Sequence, residues 1–343
     1  MNLPVLEVAD EIRAAMRAEG GRLLLKAPTG SGKSTSVPSL VRGEVAGRVL
    51  VIQPRRMAAR LLAEFVAQKE NTSLGAGVGY AVRFDSRWGE DTEILFMTDG
   101  VLQRWLLDDP ELSGVGAVIF DEFHERRLAS DLALGRVLDL QESLRPDLRV
   151  VVMSATLELR GLEDFLAPCH LVEAGGRLFP VEIEHLGARL AATRHSGPPR
   201  ETPVWERVAA ALRDEIAGLD PEARILIFLP GLHEIRKTIA LLERASWLAD
   251  WDIKPLYSAL PPAQQREAIA PGGRRKIIVS TNVAETSVTI EGVRVVIDSG
   301  LARQAVFDPR RGFDSLRIEK ISQAAAEQRA GRAGRTGPGK CVR

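Results

Sequence analysis

LLLKAPTGSGKST, from Leu23 to Thr35, decides how the rest of the chain is read. An apolar run breaks at Ala27-Pro28, a turn carrying Gly30 and Gly32 follows, and Lys33-Ser34-Thr35 opens a helical stretch. The order is strand, loop, helix start. Glycines let backbone N–H groups converge on phosphate oxygens, and a helix N-terminus adds its partial positive charge. In such a loop Lys33 reaches the β- and γ-phosphates, and the Ser34 hydroxyl ligates Mg²⁺. The template G-x-x-x-x-G-K-[ST] is met at Gly32, Lys33 and Ser34, with Ala27 at its first glycine. A glycine-rich turn between a core strand and a helix is the competing reading of this loop taken alone.

Outward from the loop, short apolar runs rich in β-branched residues predict parallel strands at 22–27, 48–54, 93–98, 116–122 and 149–156. Helical stretches lie between them, at 10–19, 56–68, 101–107 and 128–143. The chain breaks at Gly175-Gly176, and 190–203 is rich in Pro, Gly, Ser and Thr. The alternation then resumes, with strands at 224–230, 253–258, 276–282 and 293–300 and helices at 204–219, 232–248, 263–269 and 324–335. This predicts two α/β domains, 1–175 and 176–343, each a mostly parallel sheet flanked by helices. Ligands of open parallel sheets sit at the carboxyl ends of the strands, where most polar clusters fall.

Composition sets bounds. A chain of 343 residues with 45% hydrophobic content can bury a core in each of two domains. No stretch approaches ~18 consecutive apolar residues, and the N-terminus lacks the pattern of a secretion signal, so a soluble cytoplasmic protein without a membrane partner is expected. Cys169 and Cys341 lack metal-ligand spacing. The 46 basic and 46 acidic residues cancel, so any nucleic-acid binding rests on local patches. Aromatic residues, at 5%, are too sparse for recognition dominated by base stacking.

The polar clusters each carry two readings. Asp121-Glu122-Phe123-His124 follows an apolar strand: an Asp there holds Mg²⁺ and an adjacent Glu orients and deprotonates water, or the acidic pair caps a helix. Ser154-Ala155-Thr156 and Ser280-Thr281-Asn282 end strands with hydroxyls and an amide, suited to phosphate contacts or to turns. Gln53-Pro54-Arg55-Arg56 puts two cations beside a helix start, as a phosphodiester site or a solvated pair. In QRAGRAGR, Gln328 to Arg335, a continuous helix would place Gln328, Arg332 and Arg335 on one face. There they would approach a triphosphate or form a basic solvated surface.

GSGKS, QPRR, TDG at Thr98 to Gly100, DEFH, SAT, FLPG at Phe228 to Gly231, STNVAETSVTI and QRAGRAGR occur in the order of the DEAH/RHA family of superfamily 2 helicases. The chain resembles that family from about Leu23 to its last residue. Phe123, the continuation HERRLASDLALGRVLD and the segment DSGLARQAVFDPRRGFDSL most resemble the bacterial HrpB branch.

The resemblance implies two tandem RecA-like P-loop NTPase domains that bind ATP, or another NTP, with Mg²⁺ between them, and single-stranded RNA or sometimes DNA across both. By motif, Thr29, Gly30, Ser31, Gly32, Lys33, Ser34, Thr35, Asp121 and His124 contact the nucleotide. Ser34, Asp121 and Glu122 hold the metal. Glu122, Gln328, Arg332 and Arg335 act in catalysis, and Ser154 and Thr156 couple the sites. Arg55, Arg56, Thr98, Thr281 and Asn282 contact the nucleic acid, and 298–321 matches a strand-separating β-hairpin. Movement from 3′ to 5′ is implied as well. Where relatives sandwich the base between Arg and Phe, this chain has Phe65 and Ile269, which leaves the choice of NTP open. Winged-helix, ratchet and oligonucleotide-binding modules are expected beyond Arg343, making this chain the core of a longer protein. A monomer is expected, and no protein partner is indicated. The alternative function is an NTP-gated nucleic-acid clamp without productive unwinding.

Overall fold

The computed structural model describes residues 3–155, 161–176, 179–186, 202–220, 222–273, 275–285 and 290–343. The chain divides into two compact units, Met1–Arg177 and Leu178–Arg343.

The first unit runs α1 (Ala9–Arg17), β1 (Arg22–Lys26), α2 (Lys33–Arg42), β2 (Arg48–Gln53), α3 (Arg56–Lys69), β3 (Val78–Val82) and β4 (Asp85–Arg87). It continues with β5 (Ile94–Thr98), α4 (Asp99–Asp108), β6 (Val115–Phe120), α5 (Leu128–Ser143), β7 (Arg149–Ser154), α6 (Leu162–Leu166) and β8 (His170–Glu173). Its eight strands form one sheet in the order β4-β3-β5-β2-β6-β7-β1-β8. Only the β3–β4 pairing is antiparallel.

The central strands are buried on both faces, which is why their sequences read as unbroken apolar runs. Successive side chains still point to opposite faces. Leu23, Leu25, Val49, Val51, Ile119, Val151 and Met153 pack with residues of α1, α2 and α3. Leu24, Leu50, Ile52, Val118, Phe120, Val150 and Val152 pack with α4, α5 and α6. Each fully buried aliphatic side chain contributes about 1.5–3 kcal/mol relative to an exposed one. Two separate apolar layers therefore clamp the sheet, and its carboxyl edge is left to polar residues.

The second unit runs β9 (Val181–Glu184), α7 (Val204–Glu215), β10 (Arg224–Phe228), α8 (Leu232–Leu242), β11 (Asp252–Leu256), α9 (Pro262–Ile269), β12 (Lys276–Ser280) and β13 (Val293–Asp298). Then come β14 (Leu301–Asp308), β15 (Phe313–Lys320), α10 (Gln323–Ala330) and β16 (Gly339–Val342). Six strands form a sheet in the order β11-β12-β10-β13-β16-β9, with every pairing parallel. β14 and β15 form a separate antiparallel hairpin in register from Leu301↔Lys320 to Asp308↔Phe313.

The structure differs from the sequence expectation at the last helix. α10 ends at Ala330, where a helix to Arg335 was expected, and turns and bends follow through 337. Gly331 caps α10, and Gly334 lies where an added Cβ would come within 2.5 Å of the Phe179 carbonyl oxygen. Glycine at a helix end favours termination, and close packing against Phe179 requires it at 334. Gln328, Arg332 and Arg335 therefore do not share one helical face.

Candidate nucleotide and nucleic-acid site

The parallel pairing of β1, β2, β5, β6 and β7 brings five strand ends to one edge of the first sheet. Register sets Lys26 beside Ser154, Gln53 beside Thr98, and Ile52 beside Phe120. The expected clusters at Gly30–Thr35, Gln53–Arg56, Thr98, Asp121–His124 and Ser154 thus gather on this edge. Thr156 lies outside the described residues.

After β1 the chain adopts left-handed backbone at Gly30 (φ 88°) and Gly32 (φ 87°). L side chains strongly disfavour this region, so glycine is needed at both places. Gly32 is also the N-cap of α2, and a Cβ there would lie 2.8 Å from a Leu3 methyl. Ser31 between them is buried, with no hydrogen-bond partner for its hydroxyl among the described residues. Thr29 and Ser34 are partly buried, and the Thr35 hydroxyl donates to the Gly32 carbonyl (3.2 Å). The first N–H groups of a helix have no intrahelical partner, so this turn and the start of α2 form an anion-binding nest.

Lys33 is buried, its Nζ 3.2 Å from Glu122 Oε1. Asp121 accepts from Gln53 Nε2 at 2.6 Å and from the Glu122 N–H at 2.8 Å, and it is hydrogen-bonded to the Ser34 side chain. Burial, then the neighbouring Glu122 carboxylate, hold its pKa above the ordinary value, against the opposing pull of Lys33, Ser34 and Gln53. Glu122 has left-handed backbone at φ 53° and ψ 35°, a strained conformation for a side chain of this size. His124 Nε2 lies 3.3 Å from Glu122 Oε2, and Nδ1 accepts the Ala155 N–H at 3.2 Å. Burial lowers the His124 pKa, so the ring is neutral near pH 7 with its proton on Nε2, facing Glu122. His124 thereby ties the segment after β6 to Ala155, the residue that follows β7.

Among the described residues no three His, Cys, Asp or Glu side chains form a metal cage. Mg²⁺ normally uses one or two carboxylates together with substrate phosphates and water. The contacting Ser34 and Asp121, with Glu122 beside them and a single ammonium facing two carboxylates, fit an ion of that kind.

Arg55 pairs with Glu125 at 2.9 Å, so its guanidinium is braced, while Arg56 at the start of α3 is exposed. Arg127 donates to the Pro54 carbonyl and lies 3.6 Å from Asp99, which also accepts from Ser130 Oγ at 3.0 Å. Thr98, the N-cap of α4, is buried. Residues just after Glu122 thus hold the loops carrying Arg55, Arg56 and Thr98. Sequence reading gave no sign of Glu125, Arg127 or Gln53 in these roles, because each acts through a partner distant in the chain.

In the second unit Thr281 and Asn282, both partly buried, follow β12. Ser280 Oγ lies 2.9 Å from both the Leu256 and the Thr281 carbonyl oxygens, and its single proton is donated to one or shared between them. Arg329, passed over in the sequence, is fully buried and is the hub of this edge. Its Nε contacts Glu285 Oε2 at 2.9 Å, its Nη1 contacts Asp298 Oδ1 at 2.8 Å and the Leu301 carbonyl at 3.2 Å, and its guanidinium lies 4.8 Å from the Phe228 ring centroid. Arg332 is buried, with Nε on the Glu285 carbonyl at 2.9 Å. Gln328 and Arg335 are partly buried.

Residues 8–165 match the DEAD/DEAH box helicase family, and residues 207–337 match the helicase conserved C-terminal domain. The chain belongs to the DEAD/DEAH box helicases, as a DEAH/RHA, HrpB-like member with two RecA-like domains. It is 44% identical to the ATP-dependent RNA helicase HrpB of Escherichia coli K12, over 98% of this chain and 40% of that protein. It is 39% identical to the pre-mRNA-splicing factor ATP-dependent RNA helicase prp22 of Schizosaccharomyces pombe, over 99% of this chain and 29% of that protein. The crystal structure of E. coli DEAH/RHA helicase HrpB matches 99% of this chain and 42% of its own, at 41% identity and a TM-score of 0.89. The chain thus spans less than half the length of these relatives.

Proposed function

We propose that this chain is the motor core of an RNA-dependent NTPase and helicase, hydrolysing ATP or another NTP with Mg²⁺ and moving 3′ to 5′ along single-stranded RNA. The observation that carries the reading is the buried set Lys33, Asp121, Glu122 and His124 beside the left-handed glycine turn. In this reading the backbone from Thr29 to Thr35 cradles the phosphates, and Ser34 and Asp121 hold the ion, which supplies positive charge to the developing phosphoryl oxygens. Nucleotide phosphates compete with Glu122 for Lys33. The Glu122 carboxylate is then available to orient and deprotonate water, a role worth about 10²–10⁴ in rate.

Gln328, Arg332 and Arg335 are assigned as donors to the phosphates, supplied by the second unit; the support is the motif QRAGRAGR, one of those by which the chain resembles the DEAH/RHA family. A strand held at Arg55, Arg56, Thr98, Thr281 and Asn282 influences Glu122 through the Arg55–Glu125 and Arg127–Asp99 contacts. His124 carries the same influence to Ala155, at the end of β7. The reading also takes the protein to be a cytoplasmic monomer.

The test is steady-state hydrolysis of the four NTPs by this chain, with and without single-stranded RNA or DNA. RNA-stimulated turnover supports the reading. Mg²⁺–NTP binding without turnover under any condition would replace it with the NTP-gated clamp.

A further inference from the structure

Gln53 is the last residue of β2 and is completely buried. Its Nε2 donates to Asp121 Oδ2 at 2.6 Å. A carboxylate only accepts, so the nitrogen must face Asp121 and the orientation of the amide is determined. The other half of that planar group, Oε1, is buried and has no hydrogen-bond partner among the described residues. Buried acceptors are nearly always satisfied, so an orphan beside a cluster of charges calls for a donor that arrives with a ligand. Mg²⁺ held by few protein oxygens keeps several waters, and each of these is a strong donor.

We propose that Gln53 is a positioning residue for the bound metal: Nε2 holds the Asp121 carboxylate in place, and Oε1 accepts from a water of the hydrated ion. The proposal rests on the hydrolysis reading above and deepens it. It also gives the nucleic-acid loop a direct link to the ion. Gln53 immediately precedes Pro54, whose carbonyl accepts from Arg127, and stands two residues before Arg55.

The test uses Gln53→Met, which keeps the length of the side chain and removes both polar atoms, with Gln53→Leu as a second deletion of the amide. Binding of a fluorescent ATP analogue is followed as Mg²⁺ is titrated from zero, alongside thermal melting. We expect the Mg²⁺ midpoint to rise about 10–100-fold while affinity for the metal-free nucleotide stays within about twofold of the parent. A general structural defect would instead weaken metal-free and metal-bound nucleotide alike, and that result overturns the proposal. So does an unchanged midpoint, and so does loss of a cooperative melt in both variants. If the parent chain binds no nucleotide, the hydrolysis reading falls and this one with it; if the parent binds and only the midpoint fails to move, the Gln53 role alone is lost.

Discussion

The two units place buried charge at the same edge of the same kind of sheet and treat it in opposite ways. After β1 the first unit makes a left-handed turn at Gly30 and Gly32; after β10 the second runs through Leu229 and Pro230 to Gly231 at φ −167°, which is extended backbone. The first unit sets one cation, Lys33, against two carboxylates, Asp121 and Glu122. The second balances Glu285 and Asp298 with Arg329 and the more distant Arg343. One edge is short of positive charge and built around an anion nest, which a metal–triphosphate complex would complete. The other is closed on itself and serves as a frame for the residues that follow it.

If that division of labour holds, the largest effect belongs to a residue the frame presents. Arg335→Ala should slow NTP hydrolysis by about 10³–10⁵ while nucleotide affinity changes little, because an arginine in the proposed role stabilises charge that develops only in transfer. Equal losses in turnover and affinity would assign Arg335 to binding or to the fold. Glu122→Gln should lower turnover by about 10²–10⁴ with Mg²⁺–NTP binding retained, since binding needs donors and charge but turnover needs an oriented water. Unchanged turnover would remove Glu122 from that role.

The contrast was only partly legible in the sequence. Buried parallel strands such as β2, β6, β7, β10 and β12 announce themselves as apolar runs, and α5 occupies the expected 128–143. The edge strands β8 and β9 do not, because the mostly exposed HLVE and VEIE carry no such run. β3 is buried throughout, but Gly79 interrupts it where a Cβ would meet the Arg87 carbonyl oxygen at 2.6 Å, and glycine in a strand reads as a breaker. At the site, spacing singled out Lys33, Ser34, Asp121 and Glu122. Gln53 on Asp121, Ala155 on His124 and Arg329 on Asp298 are pairings between residues remote in the chain, and a single sequence has no periodicity that encodes them. The left-handed backbone at Glu122 is equally silent, because glutamate is not a residue type that marks that conformation in a sequence.

The closed edge makes its own prediction about stability. Arg329→Met fills a similar space but leaves Glu285 and Asp298 buried without their shared cation. Removing one partner of a buried charge set costs about 3–5 kcal/mol, so denaturant unfolding should show a loss of that order. A change below ~1 kcal/mol, the range of an exposed ion pair, would mean that the frame does not depend on Arg329.

The smallest effect separates the two turns by paired glycine substitutions. Gly32→Ala places a side chain at φ 87°, costing about 1–2 kcal/mol, and pushes it into Leu3, so both folding stability and nucleotide affinity should fall. Gly231→Ala meets Glu234 Oε2 at 3.1 Å and the Arg303 guanidinium at 3.4 Å, both ends of flexible side chains, on backbone that any residue adopts. It should stay within ~0.5 kcal/mol of the parent in thermal or denaturant unfolding. Equal costs at the two sites would mean that left-handed geometry is not what distinguishes the first turn. An alanine tolerated at 32 with nucleotide affinity intact would go further, because the phosphates would then be held by Lys33 and the start of α2 without the nest.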